Sequence, residues 1–280
     1  MASTRPPEWL VRAPAVAAIV VALATVASLA AILAVDVHDA WGLRERLFVE
    51  RGSDYPYLFY RLHSEGHLVE WLQWAALLVA AVAFAVAGGR MSLTARSRRA
   101  WGVVTLGFAC GVLALKDAGN PRHTVAEIGA GLGGQTASRI AELAVQGLVA
   151  ATALLALVSA WPAVRRHTAV RRLALSAYAV YGLAAARSAT SSWWYVPAGR
   201  ALLDGPLGGR MLAAPATWDP GLLPWLFMDS VVEESVELVA AGLLAVAALA
   251  LLREIWARPR IEHAGSRRDG GHTPPLGTED

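Results

Sequence analysis

The sequence predicts an all-α polytopic membrane bundle of about six transmembrane helices arranged as three hairpins, and three observations predict it. The chain is 56% hydrophobic and only 17% charged over 280 residues, with a mean hydropathy of +0.44, which is too apolar for an ordinary soluble domain. Its apolar residues fall in long runs, each near the roughly 20 residues that cross a bilayer core at about 1.5 Å per residue. Arginines and carboxylates segregate to opposite ends of those runs.

The runs lie at 13–35, 68–88, 100–117, 142–162, 172–194 and 233–252, giving one transmembrane domain over 1–256. In the first, Ala13 to Val35 is an uncharged stretch of 23 residues, longer than the apolar region of a secretory signal. No convincing small-x-small cleavage site follows it, so it reads as a retained helix. The third run holds the single cysteine, Cys110, which leaves no internal disulfide and no cysteine metal site. That run has 16 uncharged residues before Lys116, and the fifth has 14 before Arg187. Either these helices are short or each carries a basic residue into the outer leaflet. Between runs, Gly129-Ala-Gly131-Leu-Gly133-Gly134 lacks the lysine of a phosphate loop and reads as a flexible or re-entrant loop. No Gly-x-Ser-x-Gly elbow marks a serine hydrolase. Ser188 to Met228 carries five prolines and Trp193, Trp194, Tyr195, Trp218 and Trp225, the composition of an ordered interfacial lid or of a plain connecting loop. The stretch 257–280, rich in Arg, Gly, Pro and His, reads as a disordered cytoplasmic tail.

Orientation follows from the arginines. Arg90, Arg96, Arg98 and Arg99, then Arg165, Arg166, Arg171 and Arg172, then the C-terminal arginines, together with Arg5 and Arg12, place 15 of the 25 basic residues on one side; 16 of the 22 acids fall on the other. The basic side is cytoplasmic by the positive-inside rule, with both termini on it. Lys116 is the one lysine and alanine abounds, the bias of a GC-rich bacterial genome, so the expected location is a bacterial inner membrane. The net charge of +3 needs no nucleic-acid partner.

Carboxylates open the even helices alike. Glu70-Trp-Leu-Gln-Trp, Glu142-Leu-Ala-Val-Gln and Glu237-Leu-Val-Ala-Ala superpose, which pairs helices one with two, three with four and five with six. Acids in a first helical turn gain about 0.3–1 kcal/mol from the helix dipole with no further role, and Ser230-x-x-Glu233 reads as a capping box. Depth argues for more. Counted from the inner arginines, Lys116, Arg187 and Glu237 lie roughly 22–26 Å into a core about 30 Å thick. An unpaired charge there costs at least about 2.5 kcal/mol, so partners across helices are expected. Glu70, Lys116, Asp117, Glu142, Arg187, Glu233, Glu234 and Glu237 are therefore the candidate network. It either fixes hairpin register or lines an outward-facing polar cavity.

A second constellation is His63-Ser-Glu-Gly-His67-Leu-Val-Glu70. Its histidines and Glu70 share one face if a helix runs through them, and two imidazoles with a carboxylate suit zinc or non-haem iron. His38, His123 and Glu127 stand on the same side to complete such a divalent transition-metal site. Against it, Gly66 weakens the helix that would align the set.

The stretches Leu62-His-Ser-Glu-Gly-His-Leu-Val-Glu-Trp-Leu-Gln-Trp-Ala and Asp229-Ser-Val-Val-Glu-Glu-Ser-Val-Glu-Leu-Val-Ala resemble those of uncharacterised bacterial multi-pass membrane proteins whose helices start with Glu-Trp-Leu or Glu-Glu-x-x-Glu. The resemblance implies a bundle and no activity. Three functions fit the residues: an outward-facing site binding or transporting a small ion or charged solute, with the lipid bilayer as its other partner; a metal-dependent hydrolase or transferase on a lipid-linked substrate; and a noncatalytic assembly or sensory subunit.

Overall fold

A computed structural model describes residues 5–55, 57–64, 66–94, 98–119, 121–205, 207, 219 and 221–257, and all regular structure among them is helical. The tail from 258 and Arg96 lie outside the described residues. Helix α1 (Glu8–Ile32) runs into a π-helical turn, Leu33–Val37; short helical turns lead to α2 (Leu58–His63). The long helices follow: α3 (Leu68–Thr94), α4 (Arg98–Gly119), α5 (Pro121–Val164) and α6 (Thr168–Ala189). Then come α7 (Ser191–Asp204), α8 (Leu222–Leu226), a second π-helical turn at Phe227–Glu233, and α9 (Glu234–Trp256).

Five stretches are long and apolar enough to cross a membrane: Glu8–Val37, Leu58–Leu93, Arg98–Ala118, Thr124–Val164 and Leu222–Trp256. Helix α6 has the length but not the apolarity, because arginines occupy both its ends and Tyr178 and Tyr181 its middle. Much of the apolar side-chain surface faces outward. Ile19, Leu23 and Val26 on α1, and Leu148, Leu155 and Val158 on α5, are exposed, a surface suited to hydrocarbon rather than water.

At the centre lies α9, with α1, α3 and α6 packed on it; α4 packs on α3 and α5 on α4. Two of the expected helix pairs are thus neighbours, α4 with α5 and α6 with α9. The first spanning helix instead lies mainly on α9 and touches α3 little. Its seat is Gly242, where a Cβ would stand 2.6 Å from Val21 Cγ1. Without a water-driven hydrophobic force between helices, close backbone approach at small residues supplies the packing. Gly102 shows this most sharply, since a Cβ there would stand 2.1 Å from the Ser159 carbonyl oxygen of α5. Gly102→Val is expected to cost about 3 kcal/mol by prising α4 from α5, read as a lower unfolding temperature in mild detergent. Gly111→Val is the control, because a Cβ at Gly111 meets nothing within 4 Å; equal effects from the two would contradict the packing argument.

Helix α5 is two helices joined at Gly133 and Gly134, the latter at φ +69°. The segment before the break folds back on the one after it, since a Cβ at Gly129 would lie 2.9 Å from the Ala137 oxygen. The glycine-rich stretch is thus a helical reversal rather than a loop.

A second apolar cluster, including Ile32, Tyr57, Phe59, Leu203 and Phe227, forms a cap over the acidic end of the bundle. The part of Ser188–Met228 that is described contributes α7 and α8 to it. Asp36 holds the cap together. It projects from the first π-helical turn, and its Oδ1 and Oδ2 accept the amides of Leu58 and Phe59 at 2.7 and 2.8 Å. A residue 22 positions away thereby satisfies two of the unpaired N–H groups at the start of α2. Asp36→Ala should cost about 2 kcal/mol, the upper end for a lost cap, with Asp36→Asn recovering part of it; equal unfolding temperatures for wild type and Asp36→Ala would refute this. At the opposite end His167 pairs with Glu254, and the Arg90 guanidinium lies 4.1 Å over the Trp256 ring.

Candidate functional site

The cluster assembles because three helices bring their ends to one level. Helix α4 rises about 27 Å from Arg98 to Lys116, while α3 begins near Glu70 and α9 near Glu234 at that same end. Lys116 Nζ lies 2.7 Å from Asp117 Oδ1 and 3.5 Å from Glu237 Oε1. Gln73 Nε2 donates to the Glu234 carbonyl at 2.8 Å and to Glu234 Oε2 at 2.7 Å. Glu70 accepts the Gly66 amide. Glu70, Glu234 and Glu237 all lie within electrostatic reach of Asp117 or of one another. Asp117, Glu70 and Glu237 are buried, as is Gln73 at 0% exposure.

Of the eight residues expected to form the network, the structure gathers five: Glu70, Lys116, Asp117, Glu234 and Glu237. Glu233 stands beside them and accepts the Tyr195 hydroxyl of α7. Burial first, and the Glu233 carboxylate next, hold that phenol well above its ordinary range, so it stays a donor. Arg187, at the end of α6, lies 4.8 Å over the Trp194 ring and within electrostatic reach of Tyr195. Glu142 is the exception. It is half-buried on α5 and is not among the groups acting on Asp117 or Glu234.

Two local expectations are corrected. The chain is already helical from Leu222, and Glu233 closes a π-helical turn rather than a capping box started by Ser230. The acids of α9 are therefore not there to cap a helix start, which removes the simplest structural reason for them. The second correction concerns the histidines. Helix α2 ends at His63, Ser64 is extended, Gly66 takes φ +75°, and α3 starts at Leu68. The left-handed glycine breaks the helix that would have aligned His63, His67 and Glu70. His63 is buried in the cap, whereas His67 Nδ1 sits 2.9 Å from Ser64 Oγ. His38 and Glu127 are exposed, and the His123 side chain lies outside the described residues. Among the described residues no three His, Cys, Asp or Glu side chains gather closely enough to hold a metal ion.

Polar atoms around the cluster are left over. Gln73 Oε1, Trp74 Nε1, Asp117 Oδ2, Tyr181 Oη and Ser235 Oγ are buried and have no hydrogen-bond partner. Buried polar atoms are rarely left so. None of the four new members beside Asp117 was among the sequence candidates, although Gln73 lies one helical turn from Glu70 and so shares its face.

The chain matches no protein-family model, no curated protein and no solved structure. Fold and site together define it as an all-helical membrane protein with a buried acidic cluster at one end of its bundle.

Proposed function

We propose that this protein binds and moves a small cation through an outward-facing site built on Glu70, Asp117, Glu234 and Glu237. The observation that carries the reading is charge balance: Glu70, Asp117 and Glu237, which are buried, and Glu234, which is partly buried, lie within electrostatic reach of one another, and among the described residues Lys116 is the ammonium paired with them. In a medium of low dielectric such an excess is compensated by protons or by a bound cation. The unpartnered Gln73, Asp117 and Tyr181 oxygens add acceptors for that cation or its waters.

The topology in this reading has six spans, with α6 as the sixth. Its buried Val170, Ala174, Ala177 and Ala184 face the bundle, and its 22 residues extend about 33 Å. Both termini and the arginine-rich turns lie in the cytoplasm of a bacterial cell, and the acidic cluster faces outward. The bacterial multi-pass proteins with similar acidic helix starts belong to the same proposal. The hydrolase reading has no assembled metal-ligand set among the described residues to support it, and the assembly-subunit reading has no use for the surplus carboxylates.

The test is flux in proteoliposomes. Protein reconstituted with an imposed sodium or proton gradient should dissipate it faster than empty vesicles, by a route that depends on the acidic cluster. Gradients that decay alike with and without protein would overturn the proposal.

A further inference from the structure

Helices α5 and α6 are joined by a short turn yet pack on different neighbours, α5 on α4 and α6 on α9. The space they leave is a slot of about 180 Å³ in the side of the bundle. Leu113, Val149, Ala153, Gly182, Ala185 and Leu244 line its length, and Lys116, Tyr181, Glu233 and Glu237 its polar part. The Tyr178 hydroxyl crosses it, donating to the Ala153 carbonyl at 2.9 Å.

We propose that this slot binds a lipophilic primary amine, its single apolar chain lying between α5 and α6 and its ammonium group among Glu237, Glu233 and Asp117. The inference rests on the cation-site reading and goes beyond it by adding an organic cation that the same carboxylates would hold. Apolar walls with a polar part match an amphiphile, and Leu154 of the slot wall is exposed on the surface of α5, a surface suited to hydrocarbon. The sign of the head follows from charge complementarity, because the charged residues lining the slot are Glu233, Glu237 and Lys116, and Lys116 is already paired with Asp117 behind it. Lys116 is held by Asp117 at 2.7 Å and reaches Glu237 only at 3.5 Å, so Glu237 is the carboxylate with most to gain from a second ammonium. The Asp117 side chain is 5% exposed, and its Oδ2 and the Tyr181 Oη are buried without partners. Three N–H donors on one primary ammonium match these acceptors.

The test is photolabelling in phosphatidylcholine nanodiscs with two probes, a diazirine-bearing dodecylamine and the corresponding dodecanol. The amine is expected to label the stretches 145–154 and 178–185 at least tenfold more than the alcohol. Gly182→Leu should cut that labelling about tenfold at an unchanged unfolding temperature, since a Cβ at Gly182 meets nothing within 4 Å. Equal labelling by both probes would make the slot a groove for bulk lipid and overturn the proposal, as would full labelling of Gly182→Leu. Small-cation flux of the wild type separates the two readings. Flux without amine selectivity overturns the slot inference alone, and absence of both overturns the cation site beneath it.

Discussion

Lys116→Met is expected to destabilise the protein by about 3 kcal/mol, the lower end for removing one member of a buried ion pair. The lower end applies because Lys116 keeps 22% of its side chain exposed. Methionine retains the length and the apolar stem, so the loss reports the ammonium and not the packing. Asp117 would remain 5% exposed among Glu70, Glu234 and Glu237 with no cation beside it. The unfolding temperature in mild detergent should fall by about 10 °C, taking roughly 2–4 °C per kcal/mol for a chain of this size. Adding Asp117→Asn to Lys116→Met should restore part of that loss, because the pair is removed together and the orphaned charge disappears. A fall below about 2 °C, or a double variant worse than the single, would mean that the cluster does not depend on its one ammonium.

Glu237→Gln separates transport from architecture. The amide keeps the size of the carboxylate and one acceptor oxygen, while Lys116 keeps its shorter contact to Asp117. The unfolding temperature should therefore move by only a few degrees. Cation flux should fall at least tenfold, which corresponds to about 1.4 kcal/mol of lost interaction with the ion. A variant that loses stability and flux in parallel would instead assign the cluster to holding helices in register.

Five of the six expected spans were legible because a bilayer imposes length and apolarity on each crossing segment separately, and neither property needs a neighbour; α6 has the length without the apolarity. Lys116 and Glu237 stood out because each sits within or at the end of an apolar run. What joined them was not, because helix rotation is set by contacts such as Gly242 on Val21, which no single run of sequence displays. Glu142 illustrates the limit. It shares the sequence pattern of Glu70 and Glu237, but α5 packs on α4 and stands apart from α9, so the pattern did not become a common site. The histidine reading failed on one backbone angle, since Gly66 ends the periodicity on which the His63, His67 and Glu70 alignment depended. The roles of Asp36 and Tyr195 were not legible because each acts on a residue 22 or more positions away.

The π-helical turn Phe227–Glu233 carries one residue more than an α-helical turn needs, in effect an insertion that the fold has kept. Each α-helical residue advances the azimuth by about 100°. Deleting one residue from this turn would let α8 and α9 merge into a regular helix, and with the cap held in place Glu237 would swing about 100° away from Lys116. The surplus residue is what phases the acids of α9 against the cap, and a segment able to pass between π and α winding would act as a rotary coupling between the cap and the acidic cluster.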